Sequence, residues 1–164
     1  MRIFGLAGWS GSGKTTLLTA IIPHFVARGL VVSTIKHAHH EFDIDQPGKD
    51  SWRHREAGAH QVMVASARRW ALMHELRGAA EPPLDELTAK MSPCDLLLVE
   101  GFKFHPHPKL EVHRPSVGKP LLYPEDQHIV AIASDEAFPA TLPLLPLGDP
   151  PAVAGFILDH LGLG

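Results

Sequence analysis

The octapeptide Gly8-Trp9-Ser10-Gly11-Ser12-Gly13-Lys14-Thr15 fits the pattern G-x-x-x-x-G-K-[ST] at every position. It is preceded by the short apolar run RIFGLA and followed by TTLLTAIIPHFVARG, in which Leu17, Leu18, Ile21, Ile22, Phe25 and Val26 recur at helical spacing. Strand, glycine-rich loop and helix, in that order, give the pattern its physical meaning. Successive backbone N–H groups of the loop, aligned with the positive end of the helix, can surround a polyphosphate. Glycines are needed because a Cβ would block the turn or the approach of the anion. Lys14 then supplies a point charge to the β and γ phosphates, and the Thr15 hydroxyl is placed to ligate Mg²⁺. Gly8, Ser10, Gly11, Ser12, Gly13, Lys14, Thr15 and Thr16 are therefore the candidate phosphate-binding residues.

The rest of the chain continues the alternation. Gly29 suits a helix C-terminus, while Pro23 removes a backbone donor and is expected to kink or shorten the first helix. LVVSTIKHA reads as a second buried strand, completing a βαβ unit that calls for a parallel sheet. A polar loop, HHEFDIDQPGKDS, leads to a short basic helix, WRHREAGA, and QVMVAS and WALMHEL are strand candidates around Ala67-Arg68-Arg69. EPPLDELTAKM predicts a Pro-started helix, DLLLVEG a fully buried strand and KLEVHR an alternating one. HIVAIAS predicts another buried strand, and PPAVAGFILDHLG a final helix. The Pro-dense FPATLPLLPLGDPP is a loop around one short strand. The expected fold class is α/β: a P-loop NTPase fold with a mostly parallel sheet flanked by helices, in three α/β/α layers.

With 164 residues, 45% of them hydrophobic and 20% charged, the sequence supports one well-buried core, so residues 1–164 are expected to form a single nucleotide-binding domain. The net charge of −3 gives no global attraction to nucleic acid or to an anionic membrane. The lone Cys94, just before an apolar run, reads as a small buried residue. The glycine-rich motif stands where a secretory signal would lie, and no apolar run approaches the roughly 20 residues of a membrane span. A cytoplasmic protein is expected.

A P-loop needs an acid at the end of a neighbouring strand to hold or orient Mg²⁺ and water. Glu100, where LLLVE meets Gly101, is that candidate, because an ionised carboxylate ending a buried strand is hard to explain as core. Asp43 and Asp45 are further acidic candidates that read equally well as turn formers. Lys36 ends the second strand, where parallel topology brings side chains toward a ligand crevice. Lys49, Arg53, Arg55, Lys103, Lys109 and Arg114 form either a positive rim or an ordinary solvated face. Twelve histidines, dense at His37, His39 and His40 and again at His105 and His107, carry no recognised metal-ligand spacing.

Taken together, GWSGSGKTTLL, STIKHAHHEFDIDQPGKDSWRHREAGA, LLLVEGFK and PKLEVHR resemble the molybdopterin-guanine dinucleotide biosynthesis protein B family from Arg2 to about Asp135. The resemblance implies a small GTP-binding protein with weak GTPase activity, commonly a homodimer. Such a protein assists the guanylyltransferase that attaches GMP to the molybdenum cofactor. It further implies that Asp45 is an active-site residue near Mg²⁺, alongside Thr15 and Glu100. Several members of the wider P-loop class carry an extra lysine early in the loop, contributed across a dimer; this chain has Trp9 and Ser10 there. The Asn-Lys-x-Asp signature of many GTPases is absent. Asp135, directly after HIVAIAS, stands where a carboxylate can accept from guanine N1–H and N2–H, and it reads equally as a turn residue. A small-molecule P-loop kinase and a metallochaperone-type GTPase are the alternatives, the first needing a phosphoacceptor pocket, the second supported by the histidines.

Overall fold

The computed structural model describes residues 1–38, 42–103 and 105–164. The chain divides into two compact units, one built from Met1–His37 with Met91–Gly164 and one from Ala38–Lys90.

The first unit is organised by a six-stranded sheet. Its strands are β1 (Arg2–Ala7), β2 (Val32–Lys36), β5 (Leu96–Glu100), β6 (Lys109–His113), β7 (Ile129–Ser134) and β8 (Leu144–Pro146), in the spatial order β2-β5-β1-β6-β7-β8. Every pairing is parallel. Parallel strands cannot be joined by tight turns, which is why helices and long loops intervene between them. Helix α1 (Lys14–Val26) and the C-terminal helix α4 (Pro150–Leu161) pack together over one face of the sheet. Their stripes, Leu17, Leu18, Ile21 and Phe25 on one and Val153, Ala154, Ile157 and Leu158 on the other, meet Phe4, Leu6, Leu96, Leu98, Leu110 and Val112. Each such aliphatic or aromatic side chain taken fully from water contributes about 1.5–3 kcal/mol, so this layer is the main source of the unit's stability.

Pro23 lies inside α1, and the helix runs on only to Val26. The ring removes the donor that would have reached one turn back, but Ala27 N–H still bonds the Pro23 carbonyl at 2.9 Å, so the helix closes one turn later. At the other terminus Asp149 accepts from Ala152 N–H and caps α4, whose first residue is proline.

The second unit contains α2 (Asp50–Glu56), the antiparallel pair β3 (Gln61–Ala65) and β4 (Trp70–His74), and α3 (Leu84–Ala89). Arg55 organises it: its guanidinium reaches Asp43 at 2.7 Å, Asp45 at 3.3 Å and Glu75 at 3.0 Å. Among the described residues no helix is long and apolar enough to cross a membrane.

Strand β6 departs from the alternating half-exposed strand its sequence suggests. All five residues are buried, Lys109 and Glu111 included, although both are charged types. Lys109 Nζ bonds Asp126 Oδ2 at 2.7 Å, and Glu111 accepts from the backbone N–H groups of Leu122 and Tyr123 at 2.8 and 2.9 Å. Lys109 is thus a structural cation and not part of a positive rim. Arg55, another candidate for that rim, is committed to its three carboxylates in the same way.

Candidate functional site

The loop between β1 and α1 is shaped by glycine. Gly8 has φ +144°, and a Cβ there would collide with the Val112 carbonyl and the Ser12 hydroxyl. Gly13 caps α1 in the left-handed region with φ 95°, and no side chain caps the helix. The first N–H groups of α1 therefore stay open at the electropositive end of a 13-residue helix with no acid in its first turn. Ser12 is buried and its hydroxyl has no partner within the described residues.

Lys14 folds back over the loop and donates to the carbonyls of Gly8 at 2.9 Å and Trp9 at 2.8 Å. Its pKa is lowered by burial; nearby Glu100 opposes the shift, and Lys103 and Lys36 reinforce it. Thr15 Oγ1 donates to Glu100 Oε1 at 2.9 Å, and Lys36 Nζ stands 3.6 Å from the same oxygen. The register explains this meeting. Glu100 lies opposite Leu6 on one side and Lys36 on the other, so three strand ends finish together at the carboxyl edge of the sheet. Thr16 lies in the first turn of α1, exposed, its carbonyl accepting from Thr19 Oγ1 at 2.9 Å, and Ser10 and Gly11 are exposed at the loop's tip.

Across β1 from Glu100, at the ends of β6 and β7, a second pair forms. Arg114 Nε lies 3.7 Å from Asp135 Oδ2, and the guanidinium sits 3.4–3.7 Å from where a Cβ on Gly13 would be. The sequence places Arg114 among the rim candidates, but its seat on the loop depends on β6 pairing with β1, which sequence alone does not give.

Two lysines approach the indole of Trp9: Lys103 Nζ is 4.6 Å and Lys119 Nζ 5.8 Å from the ring. Trp9 Nε1 in turn donates to the Pro120 carbonyl at 2.8 Å. Lys119 is absent from the sequence-level candidates. No motif marks it, and only the loop after β6 brings it here. Lys103 follows Phe102, a non-glycine residue with φ 50°, whose ring packs 4.8 Å from that of His37.

Asp45 belongs to the second unit. Its carboxylate accepts from Ser51 Oγ at 2.8 Å and from Arg55. Of the histidines, His105 and His107 share a hydrogen bond between Nδ1 atoms at 3.1 Å, and His39 and His40 lie outside the described residues. Among the described residues no group of three or more His, Cys, Asp or Glu side chains is arranged to hold a metal ion.

A family model described as molybdopterin guanine dinucleotide synthesis protein B matches residues 3–135. The chain belongs to that family. The molybdopterin-guanine dinucleotide biosynthesis adapter protein of Escherichia coli K12 is 43% identical over 162 residues, covering 97% of this chain and 93% of the relative. The adapter protein of Haemophilus influenzae is 44% identical over 162 residues, covering 97% and 89%. Among solved structures, Bacillus subtilis MobB aligns with a TM-score of 0.75 at 26% identity, covering 98% of each chain. A crystal structure of molybdopterin-guanine biosynthesis protein B aligns at 0.76 and 27%, covering 97% and 99%. The fold is the α/β P-loop type expected from the octapeptide, with its mostly parallel six-stranded sheet and flanking helices shared by the family.

Proposed function

We propose that this chain is a GTP-binding adapter of molybdopterin-guanine dinucleotide formation, with weak GTPase activity of its own. The observation that carries the reading is the Thr15–Glu100 contact at 2.9 Å, at the mouth of a helix whose first N–H groups are open and beside Lys14. A hydroxyl and a carboxylate sharing one spot are the donor set of a hard divalent cation next to a polyphosphate. The residues therefore fit Mg²⁺: Thr15 and Glu100 would hold it, with Asp45 a further candidate that the resemblance contributes. Bound Mg²⁺ supplies charge neutralisation across the phosphate oxygens.

The loop amides from Gly8 to Thr16 would bind and orient the phosphates, Lys14 would leave its two carbonyls for them, and Lys36 would hold Glu100 in place. Asp135 would accept from the guanine edge. Turnover is slow in this reading because, among the described residues, the one arginine of the first unit that reaches the loop, Arg114, lies against Gly13 in a pair with Asp135 and not beside Thr15 and Glu100, and no arginine-finger motif is identifiable in the sequence. The adapter acts in the cytoplasm as a homodimer. It delivers nucleotide to a complex with the molybdopterin guanylyltransferase, where bound GTP lies near the phosphate of the molybdopterin cofactor.

The test is reconstituted formation of the guanine-dinucleotide cofactor at limiting GTP. Wild type should raise the yield and Lys14→Ala should not; equal yields with and without the wild-type chain, and no complex with the transferase, would overturn the reading. The nucleotide that co-purifies with the protein checks the base: guanine is expected, and adenine would favour a kinase.

A further inference from the structure

After β5 the chain turns through two successive residues in the left-handed region, Gly101 at φ 100° and Phe102 at φ 50°. The first has to be glycine, because a Cβ there would stand 2.6 Å from His37 Cβ. The second is an outlier. A bulky aromatic residue rarely takes this conformation, and it persists only where its surroundings overdetermine it. Among the described residues the only other non-glycine residue of this kind is Arg77, whose guanidinium is tied to the carbonyls of Arg55 and Ala59. Phe102 is held by a ring instead. Its centroid lies 4.8 Å from that of His37, with the planes tilted by 35°, within the range at which aromatic rings attract. His37 also donates its backbone N–H to the Glu100 carbonyl at 2.8 Å and lies directly against Gly101. One residue after β2 therefore touches three consecutive residues at the end of β5, while its neighbour Lys36 stands 3.6 Å from Glu100 Oε1. Lys36 and Glu100 are partners in the sheet, so this grip falls on the turn directly after the carboxylate that meets Thr15. A glycine at position 102 would make the same turn without strain; what phenylalanine adds is a ring to be held.

We propose that His37 and Phe102 are positioning residues: their ring pair clamps the turn after β5 and so keeps the Glu100 carboxylate at Thr15. A carboxylate that serves a ligand needs its own geometry fixed by the groups behind it, and here those groups are two rings and a backbone bond. The proposal rests on the nucleotide reading above for the metal that Thr15 and Glu100 would hold.

The experiment uses the full chain and two readouts. In nucleotide-free and metal-free protein, NMR follows the His37 ring protons and the Thr15 amide and methyl signals. With mant-GDP as the probe, Mg²⁺ is then titrated to find the concentration that gives half of its effect on affinity. Phe102→Ala and His37→Ala should each move the Thr15 signals in the direction that Glu100→Gln moves them. Each should also raise the Mg²⁺ midpoint roughly ten-fold, the lower end of what the outer partners of a metal ligand are worth, while mant-GDP affinity in EDTA changes less than about two-fold. Phe102→Tyr keeps a ring and should match the wild type in both readouts. Phe102→Gly keeps the turn without the ring and should behave as Phe102→Ala; wild-type behaviour there would assign the effect to the backbone and overturn the clamp. His37→Ala/Phe102→Ala should go no further than either single variant, and full additivity would overturn the pairing. His37 ring protons that do not shift when the Phe102 ring is removed would overturn it as well. If Phe102→Ala moves the Thr15 signals but no variant, Glu100→Gln included, changes the Mg²⁺ midpoint, the clamp stands and the metal reading of Glu100 falls. A midpoint that shifts in Glu100→Gln alone, with the Thr15 signals unmoved in Phe102→Ala, sinks the clamp and keeps the metal.

Discussion

Two groups of charged side chains occupy the same parallel sheet, and they differ in how completely they are answered. On β6 and the loop after it, Lys109 meets Asp126, Glu111 takes two backbone amides, and Asp126 also accepts from His128. At the carboxyl ends of β1, β2 and β5, Lys14 rests on carbonyls, Lys103 rests on an indole, and one carboxylate, Glu100, serves both Thr15 and Lys36. The first group is closed, each charge having its counterpart within the fold. The second is open, and its surplus is positive. A closed set costs stability when broken, because the remaining partner is left buried and charged. An open set costs ligand when broken and leaves the fold intact.

The largest effect should come from the closed set. Lys109 is fully buried while Asp126 is about one-fifth exposed and keeps its bonds from His128, so Lys109→Ala removes a buried stem and one partner of the pair and should lower the unfolding free energy by about 2–5 kcal/mol. Urea unfolding monitored by circular dichroism measures it. Lys109→Met with Asp126→Asn removes both charges and should recover much of the loss. A loss under about 1 kcal/mol in the single variant would mean that the pair is not closed at all.

Next is the acid response of His107. Burial, then the positive charge of Lys109, then His105 lower its pKa from 6.5 to about 4, with Asp126 opposing and His128 adding to the shift. Its folded form stays neutral between those values while the unfolded chain takes up a proton. Stability should therefore fall as pH drops from about 6.5 to about 4, by about 3 kcal/mol in total. Asp126 titrates in a lower window: burial would raise its pKa, but the bonds from Lys109 and His128 outweigh it and hold it below the usual aspartate value. Melting temperatures across this range should slope in the wild type and flatten in His107→Gln; parallel curves would show that His107 is not the cause.

In the open set, Lys14→Ala should weaken triphosphate binding by roughly 10- to 150-fold, the worth of a hydrogen bond to a charged group, while stability changes by no more than about 1 kcal/mol. Isothermal calorimetry and urea unfolding on the same preparation give both numbers. A variant that loses stability without losing affinity would move Lys14 into the closed set and erase the contrast.

How much of this contrast is legible in the sequence depends on how far apart the partners are. The octapeptide, the buried runs and Glu100 are local signals, and each lands where its pattern implies: β1, α1 and β5 meet at the carboxyl edge. Lys103 and Lys109 look alike in sequence, two lysines in one basic stretch. One is open and the other closed because Asp126 lies 17 residues beyond Lys109, on a loop whose path no periodicity reports. Burial of KLEVH is hidden for the same reason, since an alternating pattern assumes water on one face, and here a loop supplies backbone donors instead. Trp9 and Pro120 are 111 positions apart, so the anchored indole and Lys119 beside it depend on tertiary structure alone.

The smallest effect concerns Asp135, the residue that could belong to either set. Its Oδ2 lies 3.7 Å from Arg114 Nε, a distance too long for a strong bond and between side chains that are about two-fifths exposed. Arg114 Nε is itself buried and makes no hydrogen bond among the described residues, so at this distance the pair contributes little to stability and the carboxylate is free to serve a ligand. If it accepts from guanine N1–H and N2–H, Asp135→Ala should narrow the preference for GTP over ATP by roughly 1–2 kcal/mol, because two base donors lose their acceptor. If instead it only keeps Arg114 on Gly13, Arg114→Ala should narrow the preference equally, and the double variant should add nothing further. Competition binding with both nucleotides separates the cases. A change in Asp135→Ala that Arg114→Ala does not reproduce places Asp135 in the open set, as a reader of the base. Matching changes that do not add place it in the closed one, as a brace for the arginine.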